Sequence, residues 1–211
     1  MCRILYVRSE DEFSISEQLK KFAEISRESK EYQGHGWGSS YQVNGEWQHY
    51  HNISPIWEDD LEQFAETKVL IAHARSAFQD KDIVVENNMP FYDENYIFVF
   101  NGELQGVRIK EEGRIGAEKI FNFIKRFDKG DAVAMLKKGV DLIKGKTNYI
   151  RAMNIIIAEK DCAIVSSDYS EDPEYFTLNY KQEEHRITIC SDPFIGENDW
   201  HKIENNSVRV F

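Results

Sequence analysis

Apolar residues recur along this chain with two spacings, one typical of helices and one typical of strands. Residues 15–26 and 116–127 place apolar side chains on one helical face, and residues 132–144 show the same spacing. Apolar runs of strand length predict strands over residues 3–9 and 68–77. After residue 148 the pattern changes to successive short strands, which cover residues 149–159, 162–169, 175–181, 185–192 and 207–211.

Two Asn-Gly pairs and one acidic segment complete the predicted order of elements. Asn44-Gly45 lies between two strand-like segments and is a strong signal for a β-hairpin. Asn101-Gly102 is predicted to form a second turn between two strands, and residues 57–67 are predicted to be helical. Strands at both ends with helices between them predict an α+β fold, in which packed sheets are covered by helices.

Length and composition favour one globular unit. The chain has 211 residues, of which 41% are hydrophobic and 13% aromatic, so it can bury a sizeable core and is not expected to be disordered. It contains no repeat, no low-complexity tract and no linker rich in proline or glycine. Residues 1–211 are therefore predicted to form a single domain.

Charge and cysteine usage exclude several classes of function. The formal charge is −11 and basic residues never cluster beyond a pair, so neither a nucleic acid nor an anionic membrane surface is expected as a partner. No apolar stretch approaches the roughly 20 residues of a membrane span, and the amino terminus does not resemble a signal peptide. Three cysteines without CxxC spacing suggest neither a disulfide framework nor a zinc site. A cytoplasmic protein with reduced thiols is the expectation.

Cys2 is the first residue with candidate chemistry. It directly follows the initiator methionine, which is usually removed when the next residue is small. Removal would leave a thiol and a free α-amine on one residue, and an α-amine has an ordinary pKa of about 7.7–8.0. A nucleophile that carries its own general base is one way to activate a thiol. The alternative is that a lone cysteine stands here by chance.

Three further fragments each permit a functional and an ordinary interpretation. Arg75 ends the strand-like run KVLIAHAR and could bind a carboxylate with both prongs of its guanidinium, or simply be solvated. Asn101 and Gly102 could supply a pair of donors to an oxyanion, or form a plain hairpin turn. The glycines of GHGWG, residues 34–38, could let the backbone approach a ligand, or merely begin a strand.

Taken in order, these fragments resemble the class II glutamine amidotransferases, which are N-terminal nucleophile hydrolases. Three more segments are similar to the small stand-alone members of that family, namely YHNISPIWEDD, NNMPFYDENYIFVFNGEL and SDPFIGENDWHKIENNSVRVF. The resemblance covers essentially the whole chain. It implies a four-layer αββα sandwich with the N-terminal residue at the end of a central strand.

The resemblance also implies a reaction and a set of site residues. Glutamine would be hydrolysed at its side-chain amide to glutamate and ammonia, through a thioester on Cys2 and without a metal or organic cofactor. The Asn101 amide and the Gly102 backbone N–H would hold the oxyanion, and Arg75 would bind the α-carboxylate of glutamine. Other residues expected at the substrate site are His73, Gly36 and Trp37.

Two positions depart from the family pattern. Gly116 stands where the family has the aspartate that binds the α-amino group of glutamine, although Glu118 matches the neighbouring glutamate. Phe78 stands where the family has a threonine. The acidic residues that could substitute for the missing aspartate are Asp80, Asp93 and Glu94.

Three interpretations of function therefore remain open from the sequence. The first is a glutamine amidotransferase or glutaminase, which would need a separate synthase subunit if its ammonia is transferred, because no acceptor domain is evident. The second keeps the chemistry but changes the substrate to another amide, such as a γ-glutamyl compound or a peptide. The third is a catalytically silent binding protein, and the presence of all four predicted site residues, Cys2, Arg75, Asn101 and Gly102, argues against it.

Overall fold

The computed structural model describes residues 1–211 and has the predicted α+β class, with four α-helices and twelve strands in two antiparallel sheets. The helices are α1 Ile15–Arg27, α2 Gly116–Lys125, α3 Ala132–Gly145 and α4 Pro173–Phe176. The strands are β1 Arg3–Ser14, β2 Trp37–Val43, β3 Glu46–Asn52, β4 Glu66–Ala74, β5 Phe91–Tyr92, β6 Ile97–Gln105, β7 Tyr149–Ala158, β8 Ala163–Ser167, β9 Asn179–Gln182, β10 Arg186–Cys190, β11 His201–Lys202 and β12 Ser207–Val210. None of the helices has both the length and the apolar composition that a membrane-spanning helix requires.

The chain divides into two compact units. The first comprises Met1–Pro90 and Leu178–Ile203, and the second comprises Phe91–Thr177 and Glu204–Phe211. Each unit contains one of the two sheets. The organisation of residues 1–211 as a single domain stays a prediction.

The first unit is built around a seven-stranded sheet with the order β11-β9-β10-β1-β4-β2-β3. β1 is its middle strand and pairs antiparallel with β10 on one side and β4 on the other. Ile4, Leu5, Tyr6 and Val7 are each fully buried, which is the continuous apolar pattern of a central strand. The residue before β1 is thereby held at the end of the sheet's central strand.

α1 packs against this sheet through one apolar face. Ser14 caps the helix because its hydroxyl accepts a hydrogen bond from the backbone N–H of Glu17. Ile15, Leu19 and Phe22 are fully buried in the same hydrophobic core as residues of β1 and β4. Burying each of these side chains contributes about 1.5–3 kcal/mol, so the apolar spacing that predicts the helix also anchors it.

The predicted hairpin at Asn44-Gly45 is confirmed. β2 and β3 pair antiparallel on either side of it, with Val43 opposite Glu46. Asn44 has φ 52° and Gly45 has φ 80°, so both residues adopt the left-handed conformation that a two-residue hairpin turn requires.

The predicted turn at Asn101-Gly102 is wrong. Both residues lie inside β6, which continues from Ile97 to Gln105 in the five-stranded sheet β12-β8-β7-β6-β5 of the second unit. Asn101 pairs with Asn154 and Gly102 with Met153 on β7. Pairing with the long apolar strand β7 overrides the local turn preference of the Asn-Gly pair.

The helix predicted over residues 57–67 is also wrong, because this segment forms two short 3₁₀ turns, Ile56–Glu58 and Leu61–Gln63. Two aspartates between the turns explain the difference. Asp60 caps the second turn by accepting from the backbone N–H of Glu62, and the Asp59 carboxylate accepts hydrogen bonds from Trp37, Tyr50 and Asn52. Such side-chain hydrogen bonds compete with a continuous helix.

Candidate active site

Cys2 lies directly before the central strand β1 and is half-buried. The Cys2 sulfur is 3.4 Å from the backbone nitrogen of Ser76, which donates to it, and 3.6 Å from the Ser76 carbonyl oxygen. The thiol is therefore fixed against the segment that follows β4.

The surroundings of the thiol have opposing effects on its pKa. Burial raises the pKa of Cys2, and this is the largest influence. The amino-terminal ammonium, the Ser76 backbone N–H and the Arg75 guanidinium all act in the lowering direction. The net pKa is raised, so a base close to the sulfur is needed before it can act as a nucleophile at neutral pH.

Arg75 is brought beside Cys2 by the pairing of β1 with β4. Arg3 faces Ala74 in that antiparallel ladder, so the residues one step beyond it on each strand are Cys2 and Arg75. Arg75 is only 5% exposed, which excludes a solvated arginine at the strand end. Its Nη2 donates to the Asp82 carbonyl at 2.8 Å, and its Nη1 lies 3.4 Å from Asn88 Oδ1.

The glycine-rich segment 34–38 lies along the other side of Arg75. The Arg75 N–H donates to the Gly36 carbonyl at 2.9 Å, and the His35 N–H donates to the Arg75 carbonyl at 3.1 Å. Gly36 has φ 99°, and a Cβ on it would lie 2.1 Å from Asn88 Nδ2. Only glycine fits this conformation and this close approach.

His35 also belongs to this region, although it is not among the site residues predicted from the sequence. Its Nδ1 accepts a hydrogen bond from the Ala77 N–H at 2.9 Å, and its Nε2 is 3.6 Å from Asp80 Oδ1. Burial lowers the pKa of His35 while Asp80 acts in the opposite direction. The ring therefore links segment 34–38 to the loop after Arg75. The position of His35 between two glycines is the sequence feature that could have marked it as a site residue.

Trp37 and His73 were also expected at the substrate site. The Trp37 indole is fully buried in the hydrophobic core, and its Nε1 donates to Asp59 at 2.8 Å. His73 is fully buried on β4, opposite Ile4 on one side and Gly38 on the other. The structure thus places both residues in the first unit's sheet, and a substrate role for either stays a prediction.

Asn101 lies in the second unit and has an unusual environment. It is fully buried, and neither its side-chain nitrogen nor its side-chain oxygen has a hydrogen-bond partner. By contrast, the facing Asn154 donates to Phe176 O and accepts from Ser167 and Asp168. A buried amide without partners costs about 1–3 kcal/mol, and such groups in a folded protein often serve a ligand.

Gly102, the neighbour of Asn101, permits a close approach of two strands. A Cβ at this position would lie 2.2 Å from the Ala152 carbonyl oxygen on β7. The glycine is therefore required by steric contact in the sheet rather than by a turn.

The two departures from the family pattern are both at accessible positions. Gly116 is the first residue of α2, and a Cβ on it would meet no atom within 4 Å. Phe78 is 64% exposed. Of the acids that could replace the missing aspartate, Asp93 pairs with Lys125 at 2.9 Å, whereas Asp80 lies beside His35.

We expect Gly116→Asp to stabilise the protein. Ile115 gives α2 no side-chain cap, and an acid in the first turn interacts favourably with the helix dipole. Removing a helical glycine raises the free energy of unfolding by roughly 0.5–1 kcal/mol, so the midpoint of thermal unfolding should rise by about 1–4 °C. Gly145→Asp is the matched control, because Gly145 is equally uncrowded but ends α3, where an acid is unfavourable. An equal rise in both variants would show that the helix dipole has no part in the effect.

Comparison with solved structures shows which known fold this chain shares. A structure from Silicibacter pomeroyi described as a glutamine aminotransferase class-II domain protein has a TM-score of 0.69 and 12% identity, over 99% of this chain and 94% of that one. A predicted glutamine amidotransferase from Pseudomonas aeruginosa has a TM-score of 0.62 and 13% identity, over 100% and 97%. The glutamine phosphoribosylpyrophosphate amidotransferase of Bacillus subtilis has a TM-score of 0.65 and 15% identity, over 90% of this chain.

These likenesses show the fold, which is that of the class II glutamine amidotransferases, and they confirm the fold class that the sequence predicts. The chain spans 42% of the length of the Bacillus subtilis enzyme. No protein-family model and no curated protein sequence matches the chain.

Proposed function

We propose that this protein, which shares the fold of the class II glutamine amidotransferases, is an amidohydrolase that releases ammonia from the side-chain amide of glutamine. One observation carries the proposal. The half-buried Cys2 thiol lies directly before the central strand β1 and next to the buried Arg75. Its sulfur accepts a hydrogen bond from the Ser76 backbone N–H. A nucleophile adjacent to a carboxylate-binding arginine suits a substrate that carries both an amide and a carboxylate.

The proposed reaction has two stages, which are formation of a thioester on Cys2 and hydrolysis of that thioester. The α-amine of Cys2 takes the thiol proton, and the sulfur attacks the amide carbon, whose oxygen becomes an anion. The Asn101 amide and the Gly102 N–H donate hydrogen bonds to that anion. The protonated amine then gives its proton to the departing nitrogen, so ammonia leaves and a thioester forms. Water then attacks the thioester carbon while the amine takes a proton from it. The C–S bond breaks, glutamate leaves, and the protonated amine returns its proton to the sulfur, which restores the thiol.

The reaction requires that the Cys2 nitrogen be an amine. With Met1 attached, that nitrogen is a peptide amide, which cannot act as a base. We therefore propose that Met1 is removed in the active protein. Intact-mass measurement on the active protein should show the loss of one methionine, and full activity with Met1 retained would contradict the mechanism.

Another amide is a second candidate substrate. Its support is Gly116, which offers no carboxylate at the position where the family has one. A γ-glutamyl compound or a peptide amide would be attacked by the same residues. Transfer of the ammonia to a separate synthase subunit, and action in the cytoplasm, are further parts of this proposal.

Ammonia release from a panel of amides tests the proposed function. The panel contains L-glutamine, γ-glutamyl amides and simple primary amides, each incubated with the protein from which Met1 has been removed. Release from glutamine with the best kcat/KM supports the first candidate, and a preference for another amide supports the second. No release from any of them would indicate a catalytically silent protein.

Arg75→Lys is expected to raise KM for glutamine at least about tenfold with little change in kcat. A point charge cannot reproduce a two-pronged contact with a carboxylate that is already charged before the reaction. Steady-state kinetics of ammonia release provide the measurement. Arg27→Lys is the matched control, since Arg27 is exposed on α1 and pairs only locally with Glu28. A fall in kcat at unchanged KM would assign Arg75 to the chemical step instead.

A further inference from the structure

The residue that precedes the nucleophile is held by two polar side chains of one short segment. The Met1 ammonium forms an ion pair with the Glu31 carboxylate. The Met1 carbonyl accepts a hydrogen bond from the Gln33 side-chain amide at 2.5 Å. Gln33 is fully buried, and the side chains of Met1 and Glu31 are 10% and 30% exposed. We call Glu31 and Gln33 the ammonium cradle.

The ammonium cradle is built into the same end of the sheet as the candidate nucleophile. Gln33 also donates to the Glu31 carbonyl at 2.7 Å, so the buried amide fixes the backbone that carries the carboxylate. Two residues later the same segment hydrogen-bonds to Arg75 through His35. Glu31, Cys2 and Arg75 are thus connected by short, ordered contacts.

The Met1 nitrogen and the α-nitrogen of a bound glutamyl group lie at similar distances along the covalent chain from the Cys2 sulfur. That nitrogen is one covalent bond further from the Cys2 sulfur than the α-nitrogen of a γ-glutamyl thioester on the same sulfur would be. Removal of Met1 takes away the ammonium that the structure places against Glu31. A substrate ammonium of similar reach can then occupy the same position.

We propose that Glu31 binds the α-ammonium group of the substrate and that Gln33 positions it. This inference rests on the proposed function and names its substrate class, which is amides whose acyl chain carries both an ammonium and a carboxylate, as in glutamine and γ-glutamyl compounds. Glu31 then supplies the negative charge that is missing at Gly116. Simple carboxamides without an ammonium lack the contact and are poor substrates.

The test compares glutamine with glutaramate, which is glutamine without its α-amino group. We measure kcat and KM for both compounds with the wild-type protein and with Glu31→Gln, after intact mass has confirmed the loss of Met1. Wild type prefers glutamine, and Glu31→Gln lowers kcat/KM for glutamine at least about tenfold through KM while glutaramate is unaffected. Glu31→Asp keeps the negative charge and should retain part of the preference for glutamine over glutaramate.

Glu28→Gln is the matched control, because Glu28 lies in the same stretch of chain but is exposed and pairs with Arg27. Glu28→Gln should leave kcat and KM unchanged for both glutamine and glutaramate. An equal loss for both substrates in Glu31→Gln would overturn the inference and assign Glu31 to the Cys2 amine. An unchanged preference for glutamine would also overturn it.

Failure of the proposed function can be distinguished from failure of this inference. If wild type hydrolyses neither compound, the proposed function has failed, and the ammonium cradle is then tested by calorimetric binding of L-glutamate and glutarate. Tighter binding of glutamate that is lost in Glu31→Gln supports the cradle. Equal binding of the two acids by wild type overturns it.

Discussion

Replacing Cys2 with alanine is expected to abolish ammonia release, with a loss of roughly ten-thousandfold or more in kcat/KM. Alanine removes the sulfur, so no thioester can form, and removal of a nucleophile that acts together with its base generally costs several orders of magnitude. Alanine is also small, so Met1 should still be removed. The half-buried Cys2 side chain contributes little to the core, and the fold should persist.

Cys162→Ala is the matched control for this prediction. Cys162 is half-buried in the turn before β8, where its sulfur lies 3.4 Å from Glu159 Oε2, and it belongs to the second unit. Its replacement should leave kcat and KM unchanged, and circular dichroism should show that both variants are folded. Preferential labelling of Cys162 or Cys190 by an electrophilic glutamine analogue would show that Cys2 is not the nucleophile.

The two Asn-Gly pairs show what local sequence can and cannot predict about this fold. At Asn44-Gly45 the two flanking strands pair with each other, so the local turn preference and the long-range pairing agree. At Asn101-Gly102 the same dipeptide is incorporated into a nine-residue strand, because the strand opposite it is long and apolar. Long-range pairing of this kind is not encoded within a short window of sequence.

The candidate site was predictable to a similar extent. A central first strand paired with a strand that ends just before Arg75 places the arginine beside Cys2, and both residues could be named from the sequence. The partners of Arg75, which are the Asp82 carbonyl and Asn88, depend on the path of a loop. The contact between Glu31 and the amino terminus joins residues 30 positions apart and has no sequence signal of its own.

Asn101→Ala is expected to lower kcat about a hundredfold or more without destabilising the protein. The amide would meet a charge that develops only during the reaction, so its loss should affect the transition state more than substrate binding. The amide is fully buried without a partner, and its removal relieves a desolvation cost of about 1–3 kcal/mol that offsets the packing lost.

The facing residue Asn154 provides a control with the opposite signature. Its side chain donates to Phe176 O at 2.7 Å and accepts from Ser167 Oγ at 3.1 Å, so Asn154→Ala breaks hydrogen bonds that exist before any substrate binds. We expect urea unfolding to show a loss of about 1–3 kcal/mol for Asn154→Ala and no loss for Asn101→Ala. Ammonia-release kinetics complete the comparison. If Asn101→Ala instead loses stability and keeps its kcat, Asn101 is a structural residue of β6, and the oxyanion must be stabilised elsewhere.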